Sequence, residues 1–215
     1  MIPDWSAERK RMVDEQLRKR GIGDERVLAA MLEIPREEFV PIESRVLSYA
    51  DDPVPIGFGQ TISQPYMTAL MAQSLALKGT ETILDVGAGS GYGAAVLGVL
   101  GARVISIELV PALAQFAMRN LQRTGRAGNV TVMVGDGSIG YADAAPYDAI
   151  TVGAGAPETP AALIGQLRDS GRLVIPVGTR KDQSLMIITK KKGATDSRAV
   201  TQCRFVPLRG AEGWS

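Results

Sequence analysis

Residues 82–93 read Thr-Ile-Leu-Asp-Val-Gly-Ala-Gly-Ser-Gly-Tyr-Gly, and this stretch decides the fold. The apolar side chains of Ile83, Leu84 and Val86 predict a short buried strand, and residues 94–100 predict the beginning of a helix. Between them glycine occupies alternate positions: Gly87, Gly89, Gly91 and Gly93. Glycine permits a tight turn and a close approach of the backbone to a ligand, and the start of a helix offers free N–H groups. The stretch therefore predicts a site for a nucleotide-like ligand.

From this stretch onward, strands and helices alternate along the chain. The apolar runs predict seven strands, at residues 83–86, 104–107, 130–134, 147–152, 173–177, 184–190 and 200–206. Helices are predicted at residues 94–100, 111–125 and 160–168. Helical connections imply parallel pairing with right-handed crossovers, whereas a polar turn at 191–197 predicts an antiparallel final pair. We therefore expect an α/β fold with a doubly wound, mostly parallel, seven-stranded sheet that binds its ligand at the carboxyl ends of the strands.

The N-terminal part of the chain has a mainly helical pattern. Helices are predicted over residues 6–20 with Ser6 as the cap, from Asp24 to Pro35, at 36–39, and from Pro65 to about residue 77. Residues 43–59 show neither a helix nor a strand pattern, so we expect connecting backbone that carries part of a site. We expect residues 1–79 to form an N-terminal helical extension with an active-site loop, packed as one unit with an α/β domain at residues 80–215.

Composition excludes several classes of function. The chain of 215 residues contains no histidine, which rules out a Ser-His-Asp triad and a histidine general base. Its single cysteine, Cys203, cannot form an internal disulfide, which fits the cytoplasm, and we expect no metal site. The net charge of +1 gives no electrostatic case for nucleic acid or an anionic membrane. The polar N-terminus is not a signal peptide, no apolar run is long enough to span a bilayer, and we expect a monomer.

Three acidic residues stand at or just beyond predicted strand ends. Asp85 lies two positions before the first glycine, Glu108 follows the next strand, and Asp136 follows the third. Glu108 comes about 20 positions after the glycines, where dinucleotide sites carry the carboxylate that binds ribose hydroxyls. Asp136 can accept from an adenine amino group, with Gly137 leaving room for the purine. Each acid alone could simply cap a helix, but three at one edge of a sheet favour ligand binding.

The acid before the glycines discriminates between two ligands. A strict G-x-G-x-x-G pattern begun at Gly87 fails at Tyr92, and begun at Gly89 it ends in Ala94. Asp85 would repel the pyrophosphate of a dinucleotide but attract the ammonium and sulfonium groups of S-adenosylmethionine; it could also orient the turn. The pattern D-x-G-x-G-x-G, followed by the acid of the next strand, resembles the Rossmann-like class I methyltransferases over residues 82–178. This resemblance implies S-adenosylmethionine as cofactor and S-adenosylhomocysteine as product.

A second segment, upstream of the glycines, indicates the acceptor. Residues 54–67 read Val-Pro-Ile-Gly-Phe-Gly-Gln-Thr-Ile-Ser-Gln-Pro-Tyr-Met and resemble the signature of protein-L-isoaspartate O-methyltransferases. Further segments agree, so that the resemblance covers nearly the whole chain: residues 36–41, 49–51, 135–137, 146–150, 156–160 and 204–208. It implies methyl transfer to the α-carboxyl of L-isoaspartyl residues in damaged proteins and peptides. The ester then closes to a succinimide, which hydrolyses partly to aspartate.

The resemblance also implies roles for individual residues. The attacking carboxylate is already ionised at pH 7, since the reference pKa of an α-carboxyl is about 3.5, so no general base is needed. Ser63 would hold this carboxylate or the cofactor in line, although it could instead cap the helix at Pro65. Some family members carry a histidine after this motif, where this chain has Tyr66-Met67-Thr68. The cofactor site would comprise Asp85, Glu108, Asp136 and Gly137 with Thr61, Ile62, Gly87, Gly89, Gly91 and Leu109.

The peptide substrate is expected to lie as an extended strand between two segments. One contains Val54, Pro55, Ile56 and Gly57, and the other contains Val206; the alternative is that both merely cover the sheet. Three other functions stay open: a methyltransferase with a different carboxyl, small-molecule or nucleic-acid acceptor, an NAD-dependent oxidoreductase, and a binding module without turnover. The near-neutral charge argues against nucleic acid, and Asp85 argues against NAD.

Overall fold

The N-terminal third of the protein is helical and ends in a small hairpin and a helix. The computed structural model describes residues 3–214. Helix α1 (Trp5–Arg11) continues through a π-helical segment (Met12–Leu17) and a 3₁₀ turn (Arg18–Arg20), and α2 (Glu25–Glu33) follows. Two 3₁₀ segments (Arg36–Phe39 and Ile42–Leu47) lead to the antiparallel strands β1 (Val54–Gly57) and β2 (Gln60–Ile62), and then to α3 (Pro65–Leu75).

The rest of the chain forms the predicted seven-stranded sheet with helices between its strands. The strands are β3 (Thr82–Val86), β4 (Arg103–Glu108), β5 (Val130–Val134), β6 (Tyr147–Val152), β7 (Leu167–Gly178), β8 (Gln183–Lys191) and β9 (Ala194–Cys203). The helices are α4 (Tyr92–Leu100), α5 (Pro111–Arg123) and α6 (Ala161–Gln166). The strand order is β5-β4-β3-β6-β7-β8-β9, with parallel pairing from β5 to β7 and antiparallel pairing of β8 and β9. The mostly parallel, doubly wound α/β prediction is therefore confirmed.

Two apolar clusters cover the two faces of this sheet. Successive residues of a strand point to opposite faces, and accordingly Ile83 packs in one cluster and Leu84 in the other. The first cluster also contains buried residues of the π-helical segment Met12–Leu17, of α2, of α3 and of α4. The N-terminal extension and the helix after the glycine run therefore share one apolar core.

Several predicted boundaries are wrong, each for a local reason. Residues 43–59, expected to lack regular structure, contain the 3₁₀ segment 42–47 and strand β1; the strand has only four residues, too few for a periodic pattern. Strand β7 begins at Leu167 rather than at residue 173, because Leu167 pairs with Tyr147 beyond a bulge. The final turn lies at Lys192 and Gly193, both with positive φ, so β9 begins at residue 194 and ends at 203. Asp4, not Ser6, caps α1.

Candidate functional site

The glycine run forms the turn between β3 and α4, as predicted. Gly91 has φ +87° and precedes α4; a Cβ atom there would lie 3.2 Å from the backbone of Ala117 on α5. Gly89 has φ +53°, and its Cβ would lie 3.3 Å from the Cδ1 atom of Ile56 in the β1–β2 hairpin. Left-handed backbone with close neighbours explains why glycine occupies these positions. The turn is thereby packed between α5 and the hairpin.

Glu108, the last residue of β4, holds this turn from the neighbouring strand. Its side chain is buried and accepts hydrogen bonds from the backbone amides of Gly89 (2.8 Å) and Val110 (2.9 Å). One carboxylate therefore ties the glycine turn to the beginning of α5. Each carboxylate oxygen keeps a further lone pair, so Glu108 can still accept hydroxyl groups of a ligand.

Asp85 is a buried carboxyl group at the carboxyl end of β3. Its exposed fraction is 6%, and its Oδ2 atom accepts a hydrogen bond from the Ser106 hydroxyl at 2.6 Å. Burial raises the pKa of Asp85 to about 7; the Ser106 hydrogen bond acts in the opposite direction, and the negative charge of Glu108 adds to the increase. A cation bound beside Asp85 would favour its ionised form.

Two adjoining cavities lie along the glycine turn. The first, of about 650 Å³, is lined by Asp85 and Ser63 together with Thr61, Ile62, Gly87 and Gly89. The second, of about 560 Å³, is lined by Glu108, Leu109, Gly137 and Val206 and shares Thr61, Gly87 and Gly89 with the first. The buried acid, the glycine cradle and the free oxygen lone pairs of Glu108 fit S-adenosylmethionine.

Ser63 lies between the first cavity and a third, more open cleft. It follows β2, while the N-cap of α3 is Gln64, and no side chain caps this helix. The alternative that Ser63 is only a capping residue is therefore not supported. The third cleft is lined by Ser63, Thr61, Gln64, Phe205, Val206, Arg180 and Arg204, among others.

The charged side chains that line this third cleft are all positively charged. Arg180 and Arg204 line it, and no acidic side chain does so among residues 3–214. Arg180 also stacks on the ring of Trp214, with its guanidinium carbon 5.1 Å from the ring centroid. The cleft therefore favours an anionic group beside Ser63.

Asp136 is placed differently from the other predicted acids. Its Oδ1 atom accepts from the amide (2.9 Å) and hydroxyl (2.6 Å) of Ser138, and its Oδ2 atom accepts from the amide of Ala211 (2.7 Å). Burial alone would raise the pKa of Asp136, but the hydrogen bonds from Ser138 and Ala211 give a net decrease. Asp136 lines none of the three cavities and instead ties the C-terminal segment to the end of β5.

The predicted residues of β1 are also absent from the walls of the cavities. Val54 and Ile56 are buried, whereas Pro55 and Gly57 are exposed, and none of the four lines the three cavities. Gly91 likewise packs against α5.

Sequence reasoning missed several residues of these walls: Thr151, Gly153, Tyr92, Arg180 and Arg204. Gly153 could have been found, because it follows β6 at the same sheet edge as Asp85 and begins a Gly-Ala-Gly run.

Across residues 3–214, no three His, Cys, Asp or Glu side chains are close enough together to bind a metal ion. In the same part of the chain, every helix is too short or too polar to traverse a lipid bilayer.

Comparison with known proteins gives a consistent result. A family model described as protein-L-isoaspartate(D-aspartate) O-methyltransferase matches residues 7–213. A protein-L-isoaspartate O-methyltransferase 2 of Marinobacter nauticus is 54% identical over 98% of this chain and 97% of its own length. The corresponding protein of Methanoculleus marisnigri is 50% identical, covering 96% of this chain and 94% of its own. A Plasmodium falciparum structure described as a beta-aspartate methyltransferase in complex with S-adenosyl-L-homocysteine has a TM-score of 0.81 and 32% identity, with coverage of 94% and 98%.

Proposed function

This chain belongs to the protein-L-isoaspartate(D-aspartate) O-methyltransferase family, and we propose that it methylates the α-carboxylate of isoaspartyl residues, with Ser63 positioned where the methyl group is transferred. One observation carries the proposal: Ser63 lies in the wall shared by the cavity that contains Asp85 and the cleft that contains two arginines. The first cavity suits a cationic methyl donor, and the cleft suits an anionic methyl acceptor. A residue at their boundary is placed to align the two.

The donor side is formed by the glycine turn and two buried acids. When bound, S-adenosylmethionine supplies an electrophilic methyl group on its sulfonium. We assign Asp85 to the positively charged part of this molecule, because the buried carboxyl has no cation among its hydrogen-bond partners in residues 3–214. We assign Glu108 to the ribose hydroxyls, because it lines the second cavity and keeps free acceptor positions. Gly137 lines the same cavity and leaves space for the adenine.

The acceptor side needs no proton transfer. The isoaspartyl α-carboxylate is ionised near pH 7 and is itself the nucleophile. The Ser63 hydroxyl donates a hydrogen bond to this carboxylate and holds one oxygen in line with the methyl group. Arg204, at the wall of the same cleft, attracts the negative charge. The contribution of the protein is therefore positioning and electrostatic attraction rather than acid–base catalysis.

The peptide is proposed to bind in an extended conformation beside β1. Among residues 3–214, β1 and β2 form a sheet of two strands, so that one edge of β1 has no strand partner. Backbone hydrogen bonds to such an edge accept peptides of many sequences. The segment around Val206 lines the third cleft and is the second segment proposed to contact the peptide. We further propose that the enzyme acts as a monomer in the cytoplasm, a compartment that its lone cysteine fits.

A comparison of two peptides tests the proposed activity. Labelled S-adenosylmethionine is supplied with a peptide containing one isoaspartate and with its twin containing aspartate. Base-labile label on the isoaspartyl peptide alone is expected. Equal labelling of both peptides, or none, would reject the proposal, and labelling of a small carboxylic acid in preference to either peptide would indicate a different acceptor.

A further inference from the structure

Arg36 is the largest fully buried side chain of the N-terminal extension. It begins the 3₁₀ segment Arg36–Phe39, and its exposed fraction is 0%. Its Nε atom donates to the carbonyl of Ser48 at 2.6 Å, and its Nη2 atom donates to the carbonyl of Ser63 at 2.7 Å. One buried guanidinium therefore links the backbone at Ser48 to the backbone at Ser63, the residue between the two proposed substrate sites.

The same guanidinium lies over the ring of Tyr92. The distance from its central carbon to the ring centroid is 4.8 Å. Tyr92 is the first residue of α4, directly after the glycine turn, and it lines the first cavity. Arg36 thus touches the acceptor segment through a hydrogen bond and the donor turn through a cation–π contact.

Burial of this guanidinium carries a free-energy cost that packing alone does not explain. None of the ion pairs found among residues 3–214 includes Arg36. Its Nη1 atom is buried and has no hydrogen-bond partner. Asp51 is an acidic group that acts on Arg36 electrostatically, but its ion pair is with Arg20. Burying a charge without an ion-pair partner costs free energy, and an apolar side chain of similar size would avoid that cost. The nearby carboxylate of Glu37 is bound by Arg9 and Tyr49 instead.

We propose that Arg36 is a positioning residue that fixes Ser63 relative to the glycine turn and so sets the alignment of methyl donor and acceptor. The inference rests on the role proposed above for Ser63. A guanidinium suits this task because its planar fork donates in fixed directions to two carbonyls while its face stacks on a ring. Lysine reaches one carbonyl at a time, and methionine reaches neither.

The test compares Arg36→Met and Arg36→Lys with a matched control, Arg26→Met. Arg26 also bridges two backbone carbonyls, those of Leu77 (2.6 Å) and Leu100 (3.0 Å), but lines none of the three cavities. Turnover of an isoaspartyl peptide, affinity for S-adenosylhomocysteine and hydrogen exchange of residues 61–66 are measured for each folded variant.

Arg36→Met is expected to lower kcat by about 10- to 100-fold, since misplacement of about 1 Å has effects of this size. Affinity for S-adenosylhomocysteine should change less than kcat, exchange at residues 61–66 should accelerate, and Arg36→Lys should recover part of kcat. Arg26→Met should leave kcat and this exchange unchanged. If Arg36→Met matches Arg26→Met in both readouts, Arg36 only stabilises the fold and the inference is wrong.

Two outcomes separate this inference from the proposed function. If Arg36→Met does not fold, Arg36→Lys decides, because unchanged kcat and unchanged exchange in that variant would overturn the positioning role. If the unaltered enzyme does not methylate the isoaspartyl peptide, the proposed function fails, while exchange at residues 61–66 still tests the link between Arg36 and Ser63.

Discussion

The carboxylate of Glu108 accepts a hydrogen bond from the backbone amide of Gly89 at 2.8 Å, across 19 positions of the chain. Its second oxygen accepts from the amide of Val110 at 2.9 Å. The proposed ribose ligand is therefore also the residue that shapes the turn beside it. Loss of the Glu108 charge should weaken cofactor binding in two ways, because the ribose loses a hydrogen-bond acceptor and the glycine turn changes its shape.

Glu108→Gln tests this dual role. An amide keeps one acceptor oxygen but places an NH₂ group against one of the two backbone amides. Hydrogen bonds to charged groups contribute about 1.5–3 kcal/mol, so affinity for S-adenosylhomocysteine should fall by at least about tenfold in calorimetric titration. Glu81→Gln is the control, because Glu81 accepts from the amides of residues 78–80 outside the three cavities. An equal loss in both variants would show that Glu108 has no special role.

Asp85 predicts a pH dependence of cofactor binding. Burial raises the pKa of this carboxyl to about 7, and a cationic ligand binds preferentially to the ionised form. Affinity for S-adenosylhomocysteine should therefore increase as the pH rises from 6 to 8. Asp85→Asn should bind weakly with no such increase, whereas Asp14→Asn, at an exposed position, should retain it. A pH profile shared by wild type and Asp85→Asn would contradict the assignment.

The raised pKa of Asp85 has the opposite effect on the stability of the ligand-free protein, which should decrease as the pH rises. The pKa of Asp85 in the folded state is above the reference value of about 3.9 for an unfolded chain. The folded state therefore holds the proton more tightly, and this contribution to stability is complete below about pH 4 and is lost as the pH rises through about 7. Asp85→Asn should raise the melting temperature at pH 8 more than at pH 5. Thermal unfolding at both pH values provides the measurement.

Much of this site could be predicted from the sequence because parallel strands bring their carboxyl ends to one edge. Asp85, Glu108 and Gly137 are far apart in the chain, yet each lies at or near the carboxyl end of a strand of this sheet, and each lines one of the two cavities along the glycine turn. Local patterns cannot show which contacts form between distant segments. Asp136 had the right position, but its carboxylate binds the amide of Ala211, 75 residues away.

The buried arginine illustrates the same limit. Arg36 belongs to a segment that resembles the family, but its partners, Ser48, Ser63 and Tyr92, come from three other parts of the chain. Charged side chains are rarely fully buried, so an arginine at position 36 would be expected on the surface. Likewise, β1 has four residues and could be recognised only from its pairing with β2.

Ser63→Ala tests the proposed alignment of the acceptor. Loss of the hydroxyl should lower kcat for an isoaspartyl peptide by about tenfold or more, because one hydrogen bond to a charged group contributes about 1.5–3 kcal/mol. Affinity for S-adenosylhomocysteine should change little. Ser74→Ala is the control, since the buried Ser74 hydroxyl donates only within α3, to the carbonyl of Leu70. Full activity of Ser63→Ala would remove this residue from the mechanism.

Asp136→Asn distinguishes an adenine contact from a structural contact. The substitution places an NH₂ group against the amide of Ala211 or against Ser138. If the carboxylate mainly secures the C-terminal segment, hydrogen exchange of residues 208–214 should accelerate and the KM for the peptide should rise. A loss of S-adenosylhomocysteine affinity with unchanged exchange would instead support the adenine contact predicted from the sequence.

Arg204→Gln tests the electrostatic preference of the cleft. Arg204 lines the wall beside Ser63 and is exposed, so its attraction for a carboxylate is screened by water and salt. Exposed ion pairs contribute about 0.2–1 kcal/mol, and the KM for an isoaspartyl peptide should therefore rise about two- to fivefold at low salt and less at high salt. Arg198→Gln, an exposed arginine on β9 that does not line the cleft, is the control. If the two variants raise KM equally, the effect comes from the overall charge of the protein and not from the cleft.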